Sequence, residues 1–271
     1  MSSDFERRFG GMRRLYGVAG AQAVFEAHVI VVGIGGVGSW SAEALARSGV
    51  GHLTLIDMDH IAESNVNRQI HALGSTLGQA KVDAMRERIA QINPDCRVDS
   101  IDDFVTPDNW RRLADEAASD GRPLAVIDAC DQVRAKTEMA AWAMRARVPF
   151  VSVGAAGGKR KPQAVELGDL FEVTHDPLLA QLRYRLRKHH GAARSRRMGV
   201  TCVFSRETVA SPDPSCAIES VDGTLNCHGY GSVVSVTASF GLCASGHIVN
   251  ALAEGSEKNV MRLSETKEMT L

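Results

Sequence analysis

Residues 29–69, VIVVGIGGVGSWSAEALARSGVGHLTLIDMDHIAESNVNRQ, decide the reading of this chain. A β-branched run leads into the turn Gly33-Ile34-Gly35-Gly36-Val37-Gly38. A helix-like segment follows, and then a second apolar run ending Leu55-Ile56-Asp57-Met58-Asp59. The order strand, glycine turn, helix, acid-tipped strand is that of a nucleotide-binding βαβ unit, whose helix N-terminus presents free N–H groups to phosphate. Gly33 suits the tight turn, Gly35 and Gly36 let backbone approach a phosphate, and Gly38 permits close packing of helix on strand. Asp57, with Asp59 beside it, stands where an acid holds ribose hydroxyls.

Those features fit NAD, FAD or ATP equally well. The residues that follow discriminate among them. Asn65 and Gln69 offer amides, Arg68 a fork of donors, and Lys81 a mobile positive charge one short helix away, together resembling a clamp for a triphosphate. A nicotinamide cofactor would leave Asn65, Arg68 and Lys81 without a purpose. Farther on, Asp128-Ala129-Cys130-Asp131 sets two carboxylates at the end of a buried strand. Asp131 there can hold a magnesium ion against the phosphates, or cap the helix that begins at Val133.

The chain has 271 residues, 44% hydrophobic and 23% charged, with a net charge of −1 and a pI near 6.8. That is enough material for a full core, and it excludes a globally basic nucleic-acid coat. The six cysteines are scattered, no pair is spaced Cys-x-x-Cys, and no secretory leader is evident. A cytoplasmic protein without a disulfide framework or four-cysteine zinc site is expected.

Strand-like runs at 29–32, 53–56, 97–101, 125–127 and 150–153 alternate with helix-like runs at 39–47, 79–92, 108–118 and 133–147. The expected fold is α/β, a doubly wound and mostly parallel Rossmann-like sheet, with ligands beyond the carboxyl ends of the strands. Residues 1–154 read as an ATP-binding region with an N-terminal arm, which the resemblance described below makes an adenylation region. Residues 155–271 read as a substrate-facing elaboration of the same domain, with short strands at 165–167 and 201–204, a charged helix at 177–189 and an apolar helix at 232–252. The last is long enough to cross a bilayer, but its serines, glycines, His247 and Asn250 favour a buried or interface helix. No stable span is expected, and peripheral membrane contact stays open.

With these residues in view the chain resembles the ubiquitin-activating-enzyme-like superfamily of adenylating proteins. The carrying motifs are Gly33-x-Gly-Gly-x-Gly38, Asp57-Met-Asp59, Ser64-Asn-Val-Asn-Arg-Gln69, Lys81 and Asp128-x-x-Asp131. The resemblance implies ATP-dependent activation of a carboxylate as an acyl-adenylate, catalytic roles for Arg68, Lys81 and Asp131, and magnesium on Asp131. It also implies a homodimer, in which an N-terminal arginine reaches the partner's ATP site. That arginine aligns nearest Gly11, with Arg13 and Arg14 as candidates.

The runs 8–17, 67–73, 102–109 and 199–205 are similar to the tRNA threonylcarbamoyladenosine dehydratase branch, over nearly the whole chain. That branch implies cyclisation of N6-threonylcarbamoyladenosine at tRNA position 37. The basic run 183–197, with seven Lys/Arg and no acid, and Lys159-Arg160-Lys161 are candidate RNA contacts. Two alternatives follow from the same superfamily: adenylation of a ubiquitin-like sulfur carrier, and a nucleotide-binding scaffold working with a cysteine desulfurase and sulfur-acceptor proteins. Because the ureido nitrogen is already on the substrate, no enzyme thioester is required, and Cys202 reads as a small core residue rather than an acyl acceptor.

Overall fold

The computed structural model describes residues 3–211, 213 and 230–268, with side chains through residue 255. Seven strands form one sheet in the order β3-β2-β1-β4-β5-β7-β6. They are β1 (His28–Val32), β2 (His52–Ile56), β3 (Arg97–Ile101), β4 (Leu124–Asp128), β5 (Phe150–Val153), β6 (Val165–Asp169) and β7 (Thr201–Ser205). All neighbours are parallel except β6 and β7. The central strands HVIVV, HLTLI and FVSV are buried throughout, as strands covered on both faces must be, whereas β3 and β6 sit at the edges and are partly exposed.

The side-chain period of two divides each strand between two cores. Val29 and Val31, Leu53 and Leu55, and Ala125 and Ile127 face α2 (Gly38–Arg47), α3 (Lys81–Ile92) and the long C-terminal helix α7 (Val234–Glu268). Ile30, Val32, Val126, Phe150 and Phe204 face α4 (Trp110–Ala118), α5 (Val133–Ala146) and α6 (Pro177–His189). On α6 the leucines at 178, 179, 182 and 186 form the buried stripe. Each contributes about 1.5–3 kcal/mol by leaving water, so truncating any one opens a costly cavity.

The sequence expectation leaves the packing of the two terminal helices open. The N-terminal arm is a helix, α1 (Ser3–Glu26), broken at Gly17, whose φ of 70° is open to glycine and strained for other residues. The apolar C-terminal helix packs on α1 and α2 and also crosses β4, β5, β6 and β7 on the same face, with Val236, Phe240, Ala244, Ile248 and Leu252 buried. Its small residues explain that approach: a side chain at Gly241 would meet the Val37 carbonyl and Trp40, and Ser41 Oγ donates to the Gly241 carbonyl at 3.0 Å.

Candidate nucleotide-binding site

The strand order reverses beside β1, which pairs with β2 on one side and β4 on the other, so a crevice opens beyond their carboxyl ends. It holds a cavity of ≈ 460 Å³ walled by the Gly33–Gly38 turn, the ends of β2 and β4, residues 154–157 and the start of α6. Gly33 takes φ 85°, and a Cβ there would press on the Ala129–Cys130 peptide at 2.9 Å. A Cβ on Gly38 would collide with the Gly33 carbonyl. Gly33, Gly35 and Gly36 line the cavity, while Gly38 lies behind it as the packing residue of α2.

Asp57 supports this turn directly. One carboxylate oxygen accepts from Ile34 N–H at 2.6 Å and the other from Asp59 N–H at 2.9 Å. Burial raises its pKa, against the pull of Lys81 and these two N–H groups. Lys81, expected to be mobile, is 5% exposed and pinned, its Nζ 2.6 Å from Asp59 Oδ2. The cause is its place at the first residue of α3, where its own N–H bonds the Asp59 carbonyl at 3.0 Å.

Arg68 lines the cavity with its fork turned to the Ser64 carbonyl (2.6 Å) and Asn67 Oδ1 (2.9 Å). Trp40 Nε1 holds the Arg68 carbonyl at 3.0 Å. Gln69 is also in the wall, 5% exposed, with Oε1 lacking a hydrogen-bond partner. Asn65 is not in the wall. Its Oδ1 accepts from Ala62 N–H at 3.1 Å and closes the 3-10 turn Glu63–Asn65 that carries the loop.

Beneath the cavity, Asp128 and Lys136 form an ion pair at 2.9 Å with both side chains 0% exposed. Ser152 Oγ donates to the second Asp128 oxygen at 2.7 Å. Burial alone would lower the Lys136 pKa, but Asp128 and Cys130 raise it. Asp131 instead reaches the cavity, where its Oδ1 accepts from Gln132 Nε2 at 3.3 Å, and the cap position of α5 belongs to Gln132. The motif thus divides into a buried structural acid and a cavity acid. Cys130 lines the cavity, whereas Cys202 is wholly buried in the core with its thiol toward the Val200 carbonyl at 3.8 Å. Burial first, and nearby Asp128, raise both thiols well above the ordinary value.

The far wall escaped the sequence reading. Residues 154–157 are held by Asp176, whose carboxylate caps α6 through Leu179 N–H (2.9 Å) and also accepts Ala155 N–H (2.9 Å). Phe104, Gln181, Tyr230 and Thr237 also line the cavity. The glycine run after β5 was the available signal, since it follows a strand end as Gly33 does. Thr237 gave none, because only the return of α7 brings it to the turn.

Of the candidate RNA contacts, Lys159 is corrected. It is 2% exposed, and its ammonium donates to the Ser205 (2.9 Å) and Glu207 (3.0 Å) carbonyls, tying two segments together. Arg183 likewise donates inward, to the Leu170 and Val173 carbonyls. Lys188, Arg194, Arg196 and Arg197 are exposed. Arg13 is half-buried beside Glu6 at 3.5 Å, Arg14 is exposed, and neither lines this cavity. Among the described residues Cys96, Cys130, Cys202 and Cys243 are unpaired; Cys216 and Cys227 lie outside them.

The ThiF family pattern matches residues 10–271. The chain is 44% identical over 261 residues to the tRNA threonylcarbamoyladenosine dehydratase of Escherichia coli, covering 93% of this chain and 96% of that protein. It is 39% identical to the Haemophilus influenzae protein of the same name, covering 92% and 94%. The E. coli enzyme solved in complex with ATP superposes with a TM-score of 0.84, covering 95% of this chain and 98% of that one.

Proposed function

The chain belongs to the ThiF family, and from that membership we propose that it is an ATP-dependent tRNA threonylcarbamoyladenosine dehydratase. The observation that carries the reading is a match over almost the full length of both chains, joined to a phosphate-binding turn at the switch point of the sheet. That whole-length match favours tRNA modification over adenylation of a sulfur carrier or a scaffold role in sulfur transfer.

ATP enters with its phosphates on the N-terminus of α2, its ribose toward Asp57, and its base toward the apolar wall of Ile56, Phe104 and Val105. Arg68 and Lys81 turn from their present carbonyl and Asp59 partners onto phosphate oxygens and offset the charge that develops there. The threonyl carboxylate attacks the α-phosphorus, pyrophosphate leaves, and a mixed anhydride with AMP forms. The ureido nitrogen then attacks the acyl carbon, the acyl C–O bond to AMP breaks, and the nitrogen's proton passes to solvent. The product is lighter by one water. Proximity drives the second step, because nucleophile and electrophile are tethered on one side chain.

Magnesium belongs to the same proposal. Asp131 and the unpartnered buried Oε1 of Gln69 are hard oxygen donors in the cavity wall and suit such an ion. When bound, it supplies further neutralisation of phosphate charge. A homodimer is supported by exposed Leu15, Val18 and Leu242 on the paired outer helices, and a reducing cytoplasm by the unpaired thiols.

Incubation with ATP and tRNA bearing threonylcarbamoyladenosine tests the reading. AMP and pyrophosphate in equal amounts, with a nucleoside lighter by one water, are expected. ATP binding with no such nucleoside would overturn it.

A further inference from the structure

Helix α6 starts in the cavity wall and leads away from it. Pro177, Leu178 and Gln181 line the cavity, and at 3.6 residues per turn the stripe through Pro177 and Gln181 continues to Tyr184 and Lys188. The opposite stripe is the buried leucine row, so this one faces water. Tyr184 is 62% exposed, and the Lys188 ammonium stands 5.7 Å from its centroid. Phe171 is 38% exposed, with the guanidinium of Arg187, on the same helix as Tyr184, 6.0 Å over its ring. No acid occurs from 177 to 197.

Exposed aromatic rings beside cations, on a helix that carries no acid of its own and meets Glu138 only at His190 among the described ion pairs, match unstacked bases and their phosphates better than any other polymer. Three residues of helix separate Gln181 from Tyr184, about 4.5 Å of rise, of the order of the roughly 3.4 Å step between stacked nucleotides. We infer that Tyr184 is a stacking platform for the anticodon-loop nucleotide adjoining the modified one, engaged while the modified side chain lies in the cavity, with Lys188 on the connecting phosphate. The inference rests on the dehydratase reading and adds the recognition element that lies outside the cavity.

The test uses the full-length protein, an anticodon stem-loop RNA carrying threonylcarbamoyladenosine, and 2-aminopurine at each flanking position in turn. In the parent, one flanking probe is quenched on binding. Tyr184→Ala is expected to abolish that quenching and raise KM for the RNA about tenfold, within the range for one stacked base, at nearly constant kcat and with the parent's salt slope. Tyr184→Phe should restore quenching and KM, which separates a ring face from the hydroxyl. Equal KM for Tyr184→Ala and parent, a loss in Tyr184→Phe as large as in Tyr184→Ala, or a change of oligomeric state on sedimentation as the main effect of Tyr184→Ala would each overturn the platform. If the parent quenches the probe but makes no cyclic product, the dehydratase reading fails and the platform stands. If the parent turns over and Tyr184→Ala matches it, the reverse holds.

Discussion

Lys81 Nζ lies 2.6 Å from Asp59 Oδ2 at the rim of the phosphate-binding turn, the lysine side chain 6% exposed and the acid's 58%. The buried member is the one proposed to meet the nucleotide, and the solvated member holds it neutralised and in position. Under the proposed function, a phosphate oxygen replaces an existing partner instead of ordering a free side chain.

Lys81→Ala removes a preplaced charge from the point where phosphate charge develops. A fall of about 100-fold or more in kcat/KM for ATP is expected, with thermal unfolding little changed. Asp131→Ala should act likewise. Steady-state kinetics with calorimetric titration of ATP checks both, and unimpaired turnover in either would remove that residue from the site.

The Lys136–Asp128 pair predicts a non-additive result. Lys136→Met strands a buried carboxylate and should cost about 3–5 kcal/mol in urea unfolding. The double variant Asp128→Asn/Lys136→Met, which buries no net charge, should be more stable than Lys136→Met alone. A double variant as unstable as the sum of its singles would mean the pair is not coupled.

Cys202→Ser should lose some stability, because a hydroxyl replaces a core thiol, yet retain cyclisation. Its thiol faces the core and not the cavity. A folded, ATP-binding Cys202→Ser protein that yields no cyclic nucleoside would require a covalent acyl-enzyme in place of direct attack.

Acid should destabilise the fold between pH 6.5 and 4. Burial, with the stacked His52 ring 3.5 Å away, lowers His28 to about 4, and burial with Lys81 nearby lowers His71 to about 4. Below 6.5 the unfolded chain takes up protons that the folded chain refuses, so stability declines by at most about 1.4 kcal/mol per pH unit for each histidine. Above 6.5 neither contributes a slope. In chemical denaturation across this range, His28→Gln should show a shallower decline than the parent; identical slopes would count against the assignment.

Reversing charge at Arg194, Arg196 and Arg197, all exposed, should weaken tRNA binding and flatten its dependence on salt by up to about 0.9 per lost phosphate contact, with ATP affinity unchanged. Lys159→Ala should destabilise the protein instead, since it strands the Ser205 and Glu207 carbonyls. Filter binding over a salt series distinguishes the two. Parental slopes in the triple variant would return this run to an ordinary solvated face.

The amino-acid sequence by itself determined the alternation of strands and helices, the turn at Gly33–Gly38 and the acids after β2 and β4. All of these are written in local periodicity and in the few residues a tight turn tolerates. It also carried the family, because Gly33, Asp57, Arg68, Lys81 and Asp131 converge through loops that follow strand ends in a fixed order. Only the tertiary structure decided which charges are free. Lys159 and Arg68 look alike as sequence, yet one is sealed under three carbonyls and the other lines the cavity. Asp128 and Asp131 are three residues apart, yet one is paired in the core and the other reaches the site. The return of α7 to cover the phosphate turn, and the placing of Asp176 behind residues 154–157, were equally invisible. Burial, and the partner a charged group finds there, depends on contacts between segments far apart in the chain, and local pattern carries no record of them.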